Sequence, residues 1–271
     1  MLVQKIRHVR PGPDGETLTD ALRLIAAPAV LTPALLRLQR GEQPVAPDGK
    51  ADHAADMLRM LKVSVPSPAL AKALDTYLVT VCDHGLNAST FATRVVASTL
   101  AGLTSSVLAG LGALKGPLHG GAPGPALDMV FEIGDASRAE SVLRRKLEGG
   151  ERLMGFGHRI YKVRDPRADV LAAAAARMFS RAGDLELYEL ARAVETKALE
   201  LLEEYKPGRR IKTNVEFYTA LLLCGLDLDT AFFAPTFAIG RVAGWTAHCF
   251  EQRALGRLIR PQSAYVGRIP A

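Results

Sequence analysis

The sequence lacks the patterns that mark several common kinds of site. No CxxC or HExxH motif occurs, so no metal site is predicted. Aromatic residues make up only 6% of the chain, and no long run of Lys and Arg is present, which argues against nucleic acid as a partner. The three cysteines, Cys82, Cys224 and Cys249, stand in apolar surroundings. Their odd number predicts buried free thiols in a reducing compartment.

Long apolar runs and alternating patterns are also missing. The first ten residues are mixed and basic, without the apolar core of a signal sequence, and apolar stretches elsewhere fall short of a membrane span. We therefore expect a soluble cytoplasmic protein that does not cross a membrane. Convincing period-two strands and internal repeats are absent as well, which favours a helical fold.

The overall composition favours a protein with a sizeable core and a small anionic ligand. The 271 residues, 48% of them apolar, suffice for one large domain or two modest ones. The formal net charge is +6, and the basic residues are spread along the chain. Such a mild excess suits small anions better than a duplex.

Apolar residues at helical spacing predict an all-α fold. We expect Pro28 and Pro33 to break or kink the first helix. A loop rich in Gly and Pro covers 115–123, and the tail 259–271 is irregular. The predicted helices cover residues 19–40, 52–62, 67–84, 89–111, 126–133, 137–147, 167–181, 185–206, 214–225 and 235–255.

The segment Gly155–Arg167 combines glycines, a histidine and several cations. Asp165-Pro166 is a helix-start signal, so His158 would lie on a Gly-bent loop and Arg167 in the first turn of a helix. Cations and helix N–H groups aimed at one place bind a small anion, and a neutral imidazole beside them could polarise its carbonyl. A solvated basic loop before a helix explains this segment equally well.

Two further loops carry residues of catalytic type, His119 and Glu216. Two histidines, one carboxylate and a set of arginines can form a carbon–carbon bond without metal or cofactor. The carboxylate removes a proton next to a carbonyl, one histidine stabilises the enol oxygen, and the other polarises the carbonyl under attack. Taken alone, Glu216 could instead form a capping box with Thr213, and His119 could simply bond to backbone.

Four other residues have simple structural explanations when each is taken alone. His84 could cap the C-terminus of a helix, where the helix dipole favours it. Arg241 has the sequence context of a solvated arginine. His248 and Trp245 lie on an apolar predicted helix, which is typical of core or interface residues.

Six segments, taken in order, resemble the citrate synthase family in its bacterial citrate/2-methylcitrate synthase branch. The resemblance covers about Asp20 to Gly267, and its completeness outweighs the simple explanations above. The matching segments are Asp83–Phe91, Gly112–Ala122, Gly155–Arg167, Asn214–Tyr218, Gly240–Trp245 and Ile259–Pro261 with Tyr265–Gly267.

The resemblance implies a role for each site residue. His158 would polarise the ketone of oxaloacetate, His119 would stabilise the enol of acetyl-CoA, and Lys162 would meet the CoA phosphates. Glu216 would be the base, where the family has aspartate. Oxaloacetate would be held by His84, His158, Arg167, Arg241 and Arg260.

The resemblance also implies an architecture and an activity. A large helical domain, 1–117 with 221–271, would carry a small domain, 118–220, that closes over the ligands. The enzyme would be an acyltransferase condensing acetyl-CoA or propionyl-CoA with oxaloacetate to citrate or 2-methylcitrate, without a permanently bound cofactor. Because Arg260 would reach the neighbouring subunit's site, a homodimer is implied. The alternatives are a citryl-CoA lyase, or a weakly active or non-catalytic paralogue that binds CoA or an organic acid.

Two departures from the family pattern bear on these expectations. The extra methylene of Glu216 displaces its carboxylate by up to about 1.5 Å, and a misplacement of about 1 Å can cost around 100-fold in rate. Residues 1–19 do not resemble the family's N-terminal block of a β-hairpin and several helices. The apolar surface that such a block covers would need a tighter dimer, a partner chain or an extra subunit.

Overall fold

The protein, seen in a computed structural model, is built from α-helices. The structure describes residues 17–116, 119–120, 123–157, 164–182 and 185–268. Short 3-10 turns, Ala136–Arg138 and Thr230–Phe232, precede two of the helices. Within the described ranges there is no strand, only an isolated bridge between Phe156 and Thr213. The all-α prediction is confirmed. The helices are α1 (Leu18–Gln39), α2 (His53–Lys62), α3 (Pro68–Val81), α4 (Ala88–Ser98), α5 (Leu103–Leu114), α6 (Pro123–Ile133), α7 (Ala139–Glu148), α8 (Pro166–Ala182), α9 (Glu186–Tyr205), α10 (Val215–Gly225) and α11 (Phe233–Leu255).

Helix α11 is the central helix of one group, since it packs against α1, α3, α4 and α5. Two glycines allow it to approach the end of α3. A Cβ added to Gly240 would lie 2.7 Å from Val81 Cγ2, and one added to Gly244 would lie 2.1 Å from the Cys82 carbonyl oxygen. This close approach brings Arg241 beside the segment that follows α3.

The helices α6–α10 form a second group. Helix α10 packs against α6 and α8, and α9 packs against α7. Helix α8 also contacts α3, so it joins the second group to the first. One large apolar cluster runs through both groups, from Met57 and Leu74 to Leu171 and Leu222.

Two predictions about helix continuity are corrected. The predicted helix 89–111 is two helices, α4 and α5, because Leu100 (φ 63°) and Gly102 (φ 91°) adopt left-handed conformations between them. In the other direction, α1 continues through Pro28 and Pro33. Pro33 is buried, and packing of α1 against α2 and α11 offsets the helix hydrogen bonds that proline removes.

Helix α1 is the one described helix long and apolar enough to cross a membrane, by length and composition alone. The expectation that no such stretch exists is therefore not met. The helix nevertheless packs on the rest of the protein, and its buried Arg37 donates hydrogen bonds to the carbonyl oxygens of Gln43 and Leu61. Its outward face exposes Leu31, Leu35 and Leu38.

The three cysteines are free thiols, as predicted. Only Cys249 is buried, whereas Cys82 and Cys224 are partly exposed. Cys82 gains exposure because it follows the last turn of α3, at the start of a loop.

Candidate active site

Two distant segments pair at the start of α10. Gly157 N–H donates to the Lys212 carbonyl (2.7 Å), and Asn214 N–H donates to the Gly155 carbonyl (3.0 Å). The Asn214 side-chain amide donates to the Gly157 carbonyl (2.8 Å). Gly155 must be glycine, because its φ is 85° and an added Cβ would lie 2.9 Å from Phe217. The segment that leads to His158 is thus tied to the segment that leads to Glu216.

Glu216 lies in the first turn of α10, but not as part of a capping box. The N-cap is Asn214, whose side chain accepts from the Glu216 N–H (3.0 Å). The Thr213 hydroxyl points elsewhere, donating to Glu195 (2.6 Å). The capping-box explanation is therefore wrong, and the Glu216 carboxylate is not used to cap its own helix.

Asp165 and Arg167 form an ion pair at the start of α8. The Asp165 carboxylate, 1% exposed, accepts from Arg167 Nη2 (2.8 Å) and Nε (3.1 Å). It also accepts from the Val215 N–H (3.3 Å). One buried carboxylate therefore orients Arg167 and ties α8 to the first turn of α10. The predicted helix start at Asp165-Pro166 is confirmed.

Arg241 is buried, not solvated as its sequence context suggested. It is 1% exposed, its Nε donates to the Val81 carbonyl (2.7 Å), and its guanidinium lies 4.7 Å from the centre of the Phe237 ring. Its Nη1 has no hydrogen-bond partner within the described residues. Burial, more than the charge of Arg167, lowers the pKa of Arg241 to about 10. An unsatisfied buried cation of this kind is a strong site for a carboxylate ligand.

His119 contacts the first turn of α4. Its Nε2 lies 2.9 Å from Ser89 Oγ, which also accepts from the indole N–H of Trp245 (3.3 Å). The ring stands edge-on to Phe237, with centroids 6.3 Å apart. Burial, followed by the charge of Arg241, lowers the pKa of His119 below its ordinary value. The imidazole is therefore neutral near pH 7.

His84 lies in the loop after α3, two residues beyond Cys82, which is the C-cap of that helix. The adjacent Asp83 accepts from its own loop at the Gly85 N–H (3.1 Å) and contacts His248 Nε2 (3.1 Å). The other ring nitrogen of His248 lies 2.9 Å from Arg94 Nη1. His248 therefore supports the loop of His84 from α11 and is not a core residue.

Three of the predicted site residues converge around Tyr77. This buried side chain senses the charges of Arg241, Arg167 and Glu216, and burial raises its pKa. Burial also raises the pKa of Glu216, while Arg152 and Arg167 act in the opposite direction. A carboxylate of raised basicity, a neutral imidazole and two arginines thus share one region.

Three further residues were predicted for the site. Arg260 is exposed on the irregular segment after α11. His158 and Lys162 lie outside the described residues. A cavity of about 550 Å³ lies away from the cluster, between the C-terminal ends of α1 and α2 and the residues before α11, and contains none of the predicted site residues.

The sequence does not indicate the supporting roles of Ser89 and Asp83, and the pattern around Asp165 predicts only a helix cap. All three residues lie within segments that resemble the citrate synthase family, and this location is the signal that could have identified them. Their partners are far along the chain, and no spacing rule indicates them.

The comparisons with known proteins concern nearly the whole chain. The family model "Citrate synthase, C-terminal domain" matches residues 3–262. The citrate synthase of Synechocystis is 40% identical over 246 residues, which are 91% of this chain and 61% of that protein.

Solved structures give the same result. The citrate synthase of Pyrobaculum aerophilum superposes with a TM-score of 0.84 at 36% identity, covering 93% of this chain and 62% of that one. The citrate synthase of Thermoplasma acidophilum, in a ternary complex with carboxymethyl coenzyme A and oxaloacetate, superposes with a TM-score of 0.82 at 30% identity. The match covers 93% of this chain and 66% of that one. The chain therefore spans less than two thirds of the length of each of these relatives.

Proposed function

Because this chain belongs to the citrate synthase family, we propose that it condenses acetyl-CoA with oxaloacetate to give citrate and CoA. The observation that carries the proposal is the guanidinium of Arg241, buried yet without a partner for Nη1, in the same region as Arg167 and Glu216. Two arginines suit a dicarboxylate, and a base beside them suits the removal of a proton.

Arg241 and Arg167 are proposed to pair with the carboxylates of oxaloacetate. Asp165 already fixes two nitrogens of Arg167, so this arginine meets the ligand in one orientation. His84, His158 and Arg260 complete the proposed oxaloacetate site, with His158 hydrogen-bonded to the ketone oxygen.

Glu216 and His119 are proposed to generate the nucleophile together. The α-proton of a thioester is less acidic than a carboxylic acid by about ten or more pKa units, each worth about 1.36 kcal/mol. Glu216 therefore needs His119 to stabilise the enol oxygen as the proton leaves. The raised pKa of Glu216 makes it a stronger base than an exposed glutamate.

The direction in which the Ser89 hydroxyl donates decides which ring nitrogen of His119 carries the proton. Asn87 Oδ1 accepts the N–H groups of Ser89 and Thr90 (3.1 Å each) and also the Ser89 hydroxyl (2.8 Å), while Ser89 Oγ accepts the indole N–H of Trp245. We propose that the Ser89 hydroxyl turns from Asn87 to His119 Nε2 (2.9 Å away) when acetyl-CoA binds, which leaves the ring proton on Nδ1. A neutral ring with N–H at Nδ1 is the donor that the enol oxygen needs.

The bond-forming step follows from these positions. The enol carbon attacks the ketone carbon of oxaloacetate, and His158 gives a proton to the new alkoxide. Citryl-CoA results, and water then cleaves its thioester to release the thiol of CoA. Lys162 is proposed to hold CoA phosphates; CoA is a co-substrate, and no permanently bound cofactor is required.

Domain closure is part of the proposal. Residues 118–220 would form the small domain and 1–117 with 221–271 the large one, so that His119 and Glu216 lie near the two boundaries. Closure would exclude water while the enol exists. We further propose that propionyl-CoA can replace acetyl-CoA to give 2-methylcitrate, and that the enzyme acts in the cytoplasm within the tricarboxylic acid cycle.

A homodimer is the proposed functional unit, with Arg260 reaching the partner's site. The exposed position of Arg260 on an extended segment supports this role. The exposed leucines of α1 support a covering partner, which the dimer itself or an extra subunit would supply.

The deciding experiment follows free thiol after oxaloacetate and acetyl-CoA are mixed with the protein. We expect thiol release that His119→Ala and Glu216→Gln each lower by at least 100-fold. Glu200→Gln, a surface change on α9, serves as the matched control and should leave the rate unchanged.

Two outcomes would replace the proposal. If the protein releases no thiol but forms acetyl-CoA from citryl-CoA, it is a lyase. If a folded protein is silent in both assays yet binds CoA or an organic acid, it is a non-catalytic paralogue.

A further inference from the structure

A buried carboxylate outside the site described above connects two of its parts. Glu195, on α9, is 3% exposed. Its Oε1 accepts from Arg164 Nη1 (2.7 Å) and the Thr213 hydroxyl (2.6 Å). Its Oε2 accepts from Arg192 Nη1 (3.0 Å) and the Tyr218 hydroxyl (2.5 Å). Four donors thus converge on one side chain.

Glu195 is held in its charged form by these donors. Burial by itself raises its pKa, but hydrogen bonds from Thr213, Tyr218 and Arg164 bring the pKa below the ordinary value. The same environment, with the hydrogen bond to Glu195 second to burial, raises the pKa of Tyr218 to about 12. The phenol therefore remains a donor throughout the physiological range.

Two of the four donors adjoin the residues of the proposed reaction. Arg164 immediately precedes Asp165, the carboxylate that orients Arg167. Thr213 immediately precedes Asn214, the N-cap of the helix that carries Glu216. The hydrogen bonds of Glu195 are therefore one residue away from Asp165, which orients Arg167, and one residue away from Asn214, which caps the helix of Glu216.

We propose that Glu195 is a positioning residue that holds the start of α8, with Arg167, in register with the start of α10, with Glu216. The proposal rests on the function proposed above, since it explains how the electrophile and the base keep their relative positions. Glu195 itself touches neither substrate.

The carboxylate is needed because all four partners are donors. Glutamine offers one acceptor oxygen and one amide nitrogen, and that nitrogen would face two donors. In either orientation of Glu195→Gln the amide nitrogen would face one of the two arginines, so at least that contact would be lost. The ion pair between Glu195 and Arg164 would lose its charge, which leaves Asp169 as the one ion-pair partner of Arg164 among the described residues. Its neighbour Asp165 would then be less firmly fixed.

The test compares steady-state kinetics of Glu195→Gln with the parent chain. We expect kcat to fall about 10- to 100-fold, as misplacement of reacting groups by about 1 Å does, and KM for oxaloacetate to rise. A purely structural role would lower the folded fraction and the apparent kcat, but it would leave KM unchanged in the enzyme that remains folded.

Matched variants keep the test decisive if Glu195→Gln fails to fold. Thr213→Val removes one donor while preserving shape, and it should raise KM for oxaloacetate by about 3- to 10-fold, which is part of what a hydrogen bond to a charged group contributes. Thr196 is exposed on α9, the helix that carries Glu195, and Thr196→Val should leave KM for oxaloacetate unaltered. Unchanged KM and kcat in Thr213→Val, and in Glu195→Gln wherever that variant folds, would overturn the proposal.

Failure of the proposed function is recognised separately. If the parent chain releases no thiol, calorimetric titration with oxaloacetate decides the role of Glu195. Weaker oxaloacetate binding in Thr213→Val than in Thr196→Val supports the positioning role, and equal binding in the two refutes it.

Discussion

At the scale of single residues, the site depends on how burial and neighbouring charges shift the pKa values of Glu216 and His119. Glu216 is more basic than an exposed glutamate because burial raises its pKa, while Arg152 and Arg167 limit that rise. His119 is kept neutral by burial and by the charge of Arg241. The proposed base is thus ionised and the imidazole is uncharged over a shared range of pH, which is the state that the proposed enol formation requires.

The acid limb of the pH profile should report Glu216. Its folded-state pKa is raised, so activity is present above that pKa and is lost as the pH falls through it. Arg152→Gln removes a cation that stabilises the ionised form, and we expect the acid limb of kcat/KM to move to higher pH. Arg145→Gln, which breaks an exposed pair with Glu132, is the control. A limb that stays in place or moves to lower pH in Arg152→Gln would contradict the assignment.

The length of the Glu216 side chain can be tested directly. The Asn214 cap fixes its backbone, so Glu216→Asp would withdraw the carboxylate by about 1.5 Å. We expect kcat to fall about 10- to 100-fold, because the site is arranged around the longer side chain. Single-turnover measurement of thiol release would show this, and a higher rate in the variant would mean that glutamate is the poorer base here.

At the scale of helices, close approach of α11 to the end of α3 decides where Arg241 lies. Gly240 and Gly244 face Val81 and the Cys82 carbonyl with no room for a Cβ. Arg241, between them, reaches the Val81 carbonyl, and Asp83 follows directly after Cys82. Small residues on one helix thus position an arginine and a loop together.

Gly244→Ala should separate these elements. The new methyl would lie 2.1 Å from the Cys82 carbonyl oxygen, so α11 must move away. Overpacking of this kind costs about 1–3 kcal/mol of stability, and we expect KM for oxaloacetate to rise about 10-fold or more as Arg241 shifts. Thermal unfolding and steady-state kinetics measure the two effects.

Gly112→Ala provides the matched control for that change. Gly112 also lies within a helix, α5, but an added Cβ meets nothing within 4 Å. Alanine there should stabilise the protein by about 0.5–1 kcal/mol and leave KM unaltered. Equal effects of the two substitutions would show that close packing of α11 does not position the site.

At the scale of the whole molecule, the described chain presents an exposed apolar face and an exposed arginine. Leu31, Leu35 and Leu38 follow helical spacing on the outward side of α1. Arg260 lies exposed beyond the last helix, α11. Both features are explained if the functional unit contains a second chain.

Mixing two inactive variants tests the contribution of a second chain. If Arg260 completes the partner's site, a hybrid dimer of His119→Ala and Arg260→Ala contains one site with both residues intact. We expect each variant alone to be nearly inactive and the exchanged mixture to regain up to about half of the parent activity per hybrid dimer, as closed twofold symmetry requires. No recovery, despite hybrids detected by native mass spectrometry, would place Arg260 in its own subunit's site.

Local features of the fold were predictable in two cases: where apolar residues repeat at helical spacing, and where a capping residue lies next to the helix that it begins. Helical periodicity identified most of the helices, and Asp165-Pro166 marked the start of α8. The break between α4 and α5 was missed because leucine, the residue at position 100, does not indicate a left-handed conformation, and the single Gly102 is compatible with a continuous helical pattern. The continuity of α1 was missed because packing by neighbouring helices offset the effect of its prolines.

The sequence by itself determined that the chain is helical, which loops carry His119 and Glu216, and that these loops stand in the order of one family. Only the tertiary structure decided that Arg241 is buried, that Asp165 orients Arg167, and that Glu195 joins α8 to α10. Periodicity and turn signals act over a few residues, so a sequence displays them directly. Burial and ion pairing depend on segments that lie far apart along the chain and meet only when the helices pack.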